Sequence, residues 1–148
     1  MGSRKINLKL NFFCKIGVNT MSVIGSCECN SIVFELSGEL RDVVFCHCSQ
    51  CRKTSGHFWA ATQVSKENLN FIKAISLSWY DSSDKARRGF CNRCGSSIFY
   101  ERKGIDKVSV AAGSLEVPTS LDQMRHIYVG SKGDYYDIAD MLPKFDEY

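Results

Sequence analysis

Cys46-His47-Cys48-Ser49-Gln50-Cys51 places three cysteines within six residues. Two smaller groups flank it, Cys27-Glu28-Cys29 and Cys91-Asn92-Arg93-Cys94, while the eighth cysteine, Cys14, stands apart near the N-terminus. The seven grouped cysteines are an odd number for a disulfide framework. Cysteines two or three residues apart are also badly placed to pair with each other. The same short spacings let a tight turn aim two thiolates at one metal ion. The expected cofactor is therefore zinc, with two ions per chain.

Seven thiolates divide as four plus three. Two pairs far apart in sequence close one tetrahedral site, so Cys27, Cys29, Cys91 and Cys94 are expected to hold a structural zinc. A closed site of that kind contributes folding energy and leaves no room for substrate. Cys46, Cys48 and Cys51 then offer three ligands to a second zinc. Three protein ligands and an open position mark a reactive metal, whereas a histidine in the fourth place makes an inert knuckle. His57, six residues past Cys51, is the leading candidate to close the site, and His126 is the next. His47, held between two ligands, is expected to point away. Spacing alone leaves the open and the closed site both standing.

The length of 148 residues fits one domain. No apolar run is long enough for a transmembrane helix. Arg4, Lys5, Lys9 and Lys15 lie in the first 20 residues, where there is no acid. The rest of the chain carries 15 Lys and Arg against 16 Asp and Glu, a net charge of −1. A nucleic-acid binder carries a basic footprint on its folded domain, so nucleic acid is not an expected partner, and neither is a membrane. Residues 1–22 read as a basic extension, with Met21 as the natural start, and 23–148 as the folded zinc-binding domain. Lys9, Asn11 and Lys15 break the apolar stretch that a secretory signal needs, so the expected location is the cytoplasm.

From Val23 onward the chain reads as all-β. Ile32–Leu36, Val43–Phe45, Phe58–Val64, Ile75–Tyr80, Ile98–Tyr100 and Val108–Ala112 are short runs rich in Val, Ile, Phe, Tyr and Trp. Ser37-Gly38, Asp81-Ser82-Ser83-Asp84 and Lys103-Gly104 punctuate them. Ser49–Ser55 is expected to make one helical turn ended by Gly56, and Asp134–Met141 another before Pro143. The cysteine groups thus fall at strand ends and turns.

These motifs resemble the glutathione-dependent formaldehyde-activating (GFA) family, the centromere-protein-V/GFA domain. The likeness runs through Gly25-Ser26-Cys27-x-Cys29, Cys46-His47-Cys48-Ser49-x-Cys51-Arg52-Lys53-x-Ser55-Gly56 and Arg88-Gly89-Phe90-Cys91-x-x-Cys94-Gly95-Ser96. Ala112-Gly113-Ser114-Leu115, His126-Ile127-Tyr128 and Ile138-Ala139-Asp140-x-Leu142-Pro143-x-Phe145 continue it. The resemblance implies a small all-β, tent-like fold with two zincs. It assigns the structural zinc to Cys27, Cys29, Cys91 and Cys94. It assigns an open, catalytic zinc to Cys46, Cys48 and Cys51, with the thiol of glutathione as its expected partner. Two departures stand out: Asn30 where a glycine usually follows the second cysteine, and Tyr128 where a tryptophan is common.

The expected activity is a carbon–sulfur lyase reaction, adding a bound thiol to formaldehyde or a similar small aldehyde to give an S-hydroxymethyl adduct, or the reverse. His47 and His57 are candidate proton carriers. Phe58 and Trp59 are candidates for a pocket wall or for core. Arg52, Lys53, Arg87 and Arg88 either receive ligand carboxylates or form a solvated basic face. The rival readings are a non-catalytic zinc module that binds a protein partner, and the same chemistry on another small thiol.

Overall fold

The structure, a computed structural model, describes residues 22–148. Cys14 and the basic stretch through Met21 lie outside the described residues. The elements are β1 (Val23–Ser26), β2 (Ile32–Leu36), β3 (Arg41–Cys46), α1 (Ser49–Ser55), β4 (Trp59–Ser65), β5 (Leu69–Ala74), β6 (Leu77–Ser83), β7 (Ala86–Cys91), β8 (Ser97–Arg102), β9 (Lys107–Ala111), β10 (Gln123–Ile127) and β11 (Lys144–Phe145). The all-β expectation holds, with α1 the single α-helix among the described residues. That helix spans the expected Ser49–Ser55. Cys48 caps its start, and Gly56 ends it with φ 82°, a left-handed value that costs glycine little.

Two sheets form. The smaller has the order β1-β2-β5, and the larger has the order β11-β10-β3-β4-β9-β8-β7-β6. Side chains alternate across a strand, so each strand of the large sheet addresses two environments. Thr62, Val64, Phe99, Val108 and Val110 lie on one face and are buried. Three of them, with Phe99, join Ile32, Phe34 and Leu36 of β2 in the core, apart from Thr62. Phe34 and Phe99 meet edge to face, with centroids 5.0 Å apart. Gly25 of β1 lets Phe34 in: a Cβ there would lie 2.4 Å from Phe34 Cζ.

The intervening residues face the other way. Trp59, Ala61 and Gln63 of β4, Ala86 and Arg88 of β7, Tyr100 and Arg102 of β8, and Lys107 and Ser109 of β9 line one cavity. β3 and β7 are four strand spacings apart, about 19 Å on a flat sheet. Arg88 of β7 nevertheless contacts Cys51 of α1, the helix that follows β3. The curl of the sheet and the placement of α1 together close that gap and enclose the cavity.

Two expectations are corrected. Ile75–Tyr80 is not one strand: β5 ends at Ala74, Ile75 and Ser76 turn the chain, and β6 begins at Leu77. Ile75 is apolar but 86% exposed, so its hydrophobicity misplaced the boundary. Asp134–Met141 is not helical. Lys132 Nζ takes the Tyr136 carbonyl at 2.7 Å and Lys144 Nζ takes the Asp140 carbonyl at 2.5 Å, so side chains satisfy backbone groups that a helix would pair internally.

Candidate functional site

The four-cysteine cluster joins two turns. Cys27 and Cys29 sit between β1 and β2, and Cys91 and Cys94 flank the turn from β7 to β8. In each turn a backbone N–H closes back on the first cysteine's carbonyl: Asn30 to Cys27 at 3.0 Å, and Gly95 to Cys91 at 2.9 Å. Asn30 adopts the left-handed conformation, φ 56°, that its glycine-like place requires. The four Sγ atoms lie within 4.8 Å of one another, with Cys27–Cys29 at 3.6 Å and Cys29–Cys91 at 3.8 Å. Zinc–sulfur bonds of about 2.3 Å in a tetrahedron put the sulfurs about 3.8 Å apart, so the donor set fits a tetrahedral metal. Backbone N–H groups of Ile32 and Cys94 point at Cys27 Sγ and Cys91 Sγ, at 3.3 and 3.4 Å. Ser31 and Ser76 hydroxyls, bonded to each other, reach Cys29 Sγ and Cys91 Sγ at 3.0 Å each. Such donors favour thiolates.

The second cluster is Cys46 at the end of β3, Cys48 at the cap of α1 and Cys51 in its first turn. Their Sγ atoms also lie within 4.8 Å of one another, and no histidine, aspartate or glutamate atom completes the group among the described residues. Cys48 Sγ accepts from the Cys51 N–H at 3.4 Å, so the cap that starts the helix also aims the two sulfurs together. Hydrogen bonds from the Cys46 and Cys51 thiols draw the Cys48 thiol down to about 2. Bonding to Cys48 and Cys51, with burial, pushes Cys46 up. A divalent cation would let all three ionise, which is the chemistry this donor set fits.

The histidines occupy other places. His57 Nδ1 lies 3.3 Å from the Tyr135 hydroxyl. His47 points away from the cysteines on either side of it, as expected, and is fully buried. Its Nδ1 meets the Tyr136 hydroxyl at 2.5 Å and its Nε2 meets His126 Nδ1 at 2.8 Å; His126 Nε2 meets Asp140 at 2.9 Å. One set of protons satisfies the whole chain: Tyr136 donates to His47, His47 to His126, and His126 to Asp140. Both rings are then neutral. Burial is the main cause that holds His47 down, at about 4. With both ring nitrogens engaged, His47 is a structural clasp on the segment that carries Cys46 and Cys48.

The cavity beside the three cysteines has a volume of about 670 Å³. Cys46, Cys48 and Cys51 lie in its wall with Trp59, Tyr100 and Tyr128. Trp59 is therefore both buried and a wall residue, while Phe58 packs outside the cavity against Phe45. Tyr128 enters from a left-handed backbone, φ 56°. Of the four basic residues flanking the cysteine groups, only Arg88 lines the cavity. Arg52 Nε bonds the Ser131 carbonyl, Arg87 pairs with Glu101 at 2.7 Å, and Lys53 lies outside the wall. Arg41, Lys85, Arg102 and Lys107 also line it, and spacing around the cysteines gave no sign of them. A second hollow, of about 820 Å³, touches Cys27 and Cys94. The cluster there already has four donors, so it offers no free position.

A family profile described as glutathione-dependent formaldehyde-activating enzyme matches residues 22–131. The chain belongs to the GFA family. A lyase of Schizosaccharomyces pombe (strain 972), itself uncharacterised, is 25% identical over 123 residues, covering 82% of this chain and 88% of the relative. A crystal structure of a Rhodobacter sphaeroides protein superposes with a TM-score of 0.55 at 26% identity, covering 66% of this chain and 89% of the other. Both cysteine clusters fall within the GFA match, as does the clasp as far as His126; Tyr136 and Asp140 lie beyond it. Among the described residues no helix is long and apolar enough to cross a membrane.

Proposed function

We propose that this GFA protein is a zinc-dependent carbon–sulfur lyase that adds a small thiol, of which glutathione is the first candidate, to formaldehyde or a similar small aldehyde, and catalyses the reverse. The carrying observation is the contrast between the clusters. One has four sulfur donors. The other has three, no fourth histidine, cysteine or carboxylate donor within reach among the described residues, and a 670 Å³ cavity beside it. We assign Cys27, Cys29, Cys91 and Cys94 to a structural zinc, and Cys46, Cys48 and Cys51 to the reactive one.

A zinc held by Cys46, Cys48 and Cys51 would supply a soft site at which a further thiol could ionise near neutral pH. The chain supplies the rest. In the forward step the thiol sulfur bonds the carbonyl carbon, the C=O π bond opens, and the thiol proton ends on oxygen, with no change of oxidation state. Holding both reactants in one cavity removes much of the entropic cost of their meeting. His47 and His57 do not line the cavity, so proton delivery falls to groups that do: the Tyr100 and Tyr128 hydroxyls, or water. All seven cysteines of the described residues are free of disulfides, which suits a reducing compartment, and we place the protein in the cytoplasm.

The test is the rate of adduct formation between glutathione and ¹³C-formaldehyde, followed by NMR with zinc-loaded protein, with Cys48→Ser protein and with none. The expected result is acceleration by the wild type alone. Equal rates in all three would overturn the assignment of this reaction.

A further inference from the structure

Arg88 is a buried cation with most of its hydrogen-bonding capacity unused. It is 5% exposed, and its Nη2 donates to Cys51 Sγ at 3.5 Å. Its Nε and Nη1 are buried and have no partner among the described residues. The guanidinium lies 5.0 Å from the Tyr100 ring centre and 5.8 Å from that of Trp59. Two aromatic faces therefore hold its orientation. Trp59 Nε1, in the same cavity wall, is a second buried donor without a partner among the described residues. Unpaired buried donors are costly, and a charged one more so.

The surroundings sharpen the point. Arg41, Lys85, Arg88, Arg102 and Lys107 line the cavity, with no aspartate or glutamate among the lining residues. None of the five forms an ion pair with an acidic side chain among the described residues. Elsewhere lysines and arginines do find acids, as Arg87 and Lys66 find Glu101. The near-neutral charge of the domain thus conceals a pocket in which five cations converge. Three thiolates on a divalent ion would leave one negative charge, which Arg88 would meet through Nη2 alone.

We infer that Arg88 is the receptor for a carboxylate on the small molecule that reacts beside Cys46, Cys48 and Cys51. This rests on that cluster being the reaction site. Nη1 and the second hydrogen of Nη2 form a two-donor fork that matches a carboxylate. An oxygen bonded to Nη2 at about 2.9 Å lies no more than about 6.5 Å from Cys51 Sγ. Carboxylate and reacting centre are thus close enough to belong to one small molecule. The site selects a short thiol acid or aldehyde acid over its neutral counterpart, with Arg88 as the specificity residue and the other four cations as an attracting rim.

The test is calorimetric binding to zinc-loaded full-length protein, which does not depend on turnover. Mercaptoacetate against 2-mercaptoethanol tests the thiol as the source of the carboxylate, and glyoxylate against glycolaldehyde tests the aldehyde. The wild type is expected to prefer the acid of at least one pair by about tenfold. Arg88→Gln is expected to abolish that preference, read as the ratio of acid to neutral affinity within the variant, and Arg88→Lys, a point charge without the fork, to retain part of it. Equal binding within both pairs by the wild type overturns the inference even if Arg88→Gln fails to fold. So does a preference that survives in Arg88→Gln. A carboxylate preference without acceleration of any thiol–aldehyde addition supports the receptor and overturns the lyase reading; acceleration without preference does the reverse.

Discussion

Replacing His126 with leucine tests whether the buried chain from Tyr136 to Asp140 clasps the segment that carries Cys46 and Cys48. His126 is 3% exposed and packs on Phe45 with centroids 5.0 Å apart, and leucine keeps most of that volume. What leucine cannot keep is the two hydrogen bonds. His47 is fully buried, so losing its partner strands the Nε2 proton at about 1–3 kcal/mol. The Asp140 side chain is 42% exposed, and water replaces its bond. The net loss is therefore about 1–3 kcal/mol, and in a domain of this size each kcal/mol moves Tm by about 3–5 °C. Thermal and urea unfolding of the zinc-loaded protein measure it. Asp140→Asn is the control and should cost less than about 1 kcal/mol, because its bond is half in water. In a chelator competition the loosened segment should release one zinc faster and leave the other unchanged. The reasoning fails if His126→Leu unfolds within about 0.5 kcal/mol of wild type, or if Asp140→Asn costs as much as His126→Leu.

The two clusters should respond differently to the loss of one sulfur. Cys94→Ser breaks the centre that joins the β1–β2 turn to the β7–β8 turn, and should cost on the order of 4 kcal/mol in urea unfolding. Cys48→Ser should cost about 1 kcal/mol, since serine is itself a good helix cap, while metal analysis shows one zinc lost. Equal destabilisation by the two would contradict the division into structural and reactive sites. Gly25→Ala drives a Cβ to 2.4 Å from Phe34 Cζ and 3.0 Å from Leu115 Cδ2. Phe34 is fully buried against Phe99, so overpacking of about 1–3 kcal/mol should lower Tm; an unchanged Tm would show that the inter-sheet core yields more than its packing implies.

The cysteine clusters were legible because their geometry is local. A C-x-C or C-x-x-C turn aims two sulfurs whatever the rest of the chain does, so the four-plus-three division needed only sequence order. Helix α1 was legible for the same reason: Cys48 starts it, and Gly56 closes it. The cavity was not legible. Its wall takes alternate residues from strands that are neighbours in space but not in sequence, such as Trp59 of β4 and Ser109 of β9. Strand β7, Ala-Arg-Arg-Gly-Phe-Cys, hid because two adjacent arginines look solvated. Here Arg87 turns outward to Glu101 and Arg88 inward to the cavity. Among four basic residues near the cysteines, sequence gave no reason to prefer Arg88. The clasp hid because Tyr136 and Asp140 lie far along the chain from His47, in a segment whose side chains rather than a helix satisfy its backbone.

Strand β7 links the two centres. Arg88 and Cys91 are three residues apart, and in a strand an odd separation puts side chains on opposite faces. Cys91 is fully buried on the core side, within the four-cysteine cluster. Arg88 enters the cavity on the other. A metal held at one end of β7 would therefore fix the register that aims a cation at the three-cysteine cluster. On this view the four-cysteine centre contributes to function through position alone. Loosening it should disperse Arg88 before it disturbs Cys46, Cys48 and Cys51, which α1 and the His47 clasp also hold in place.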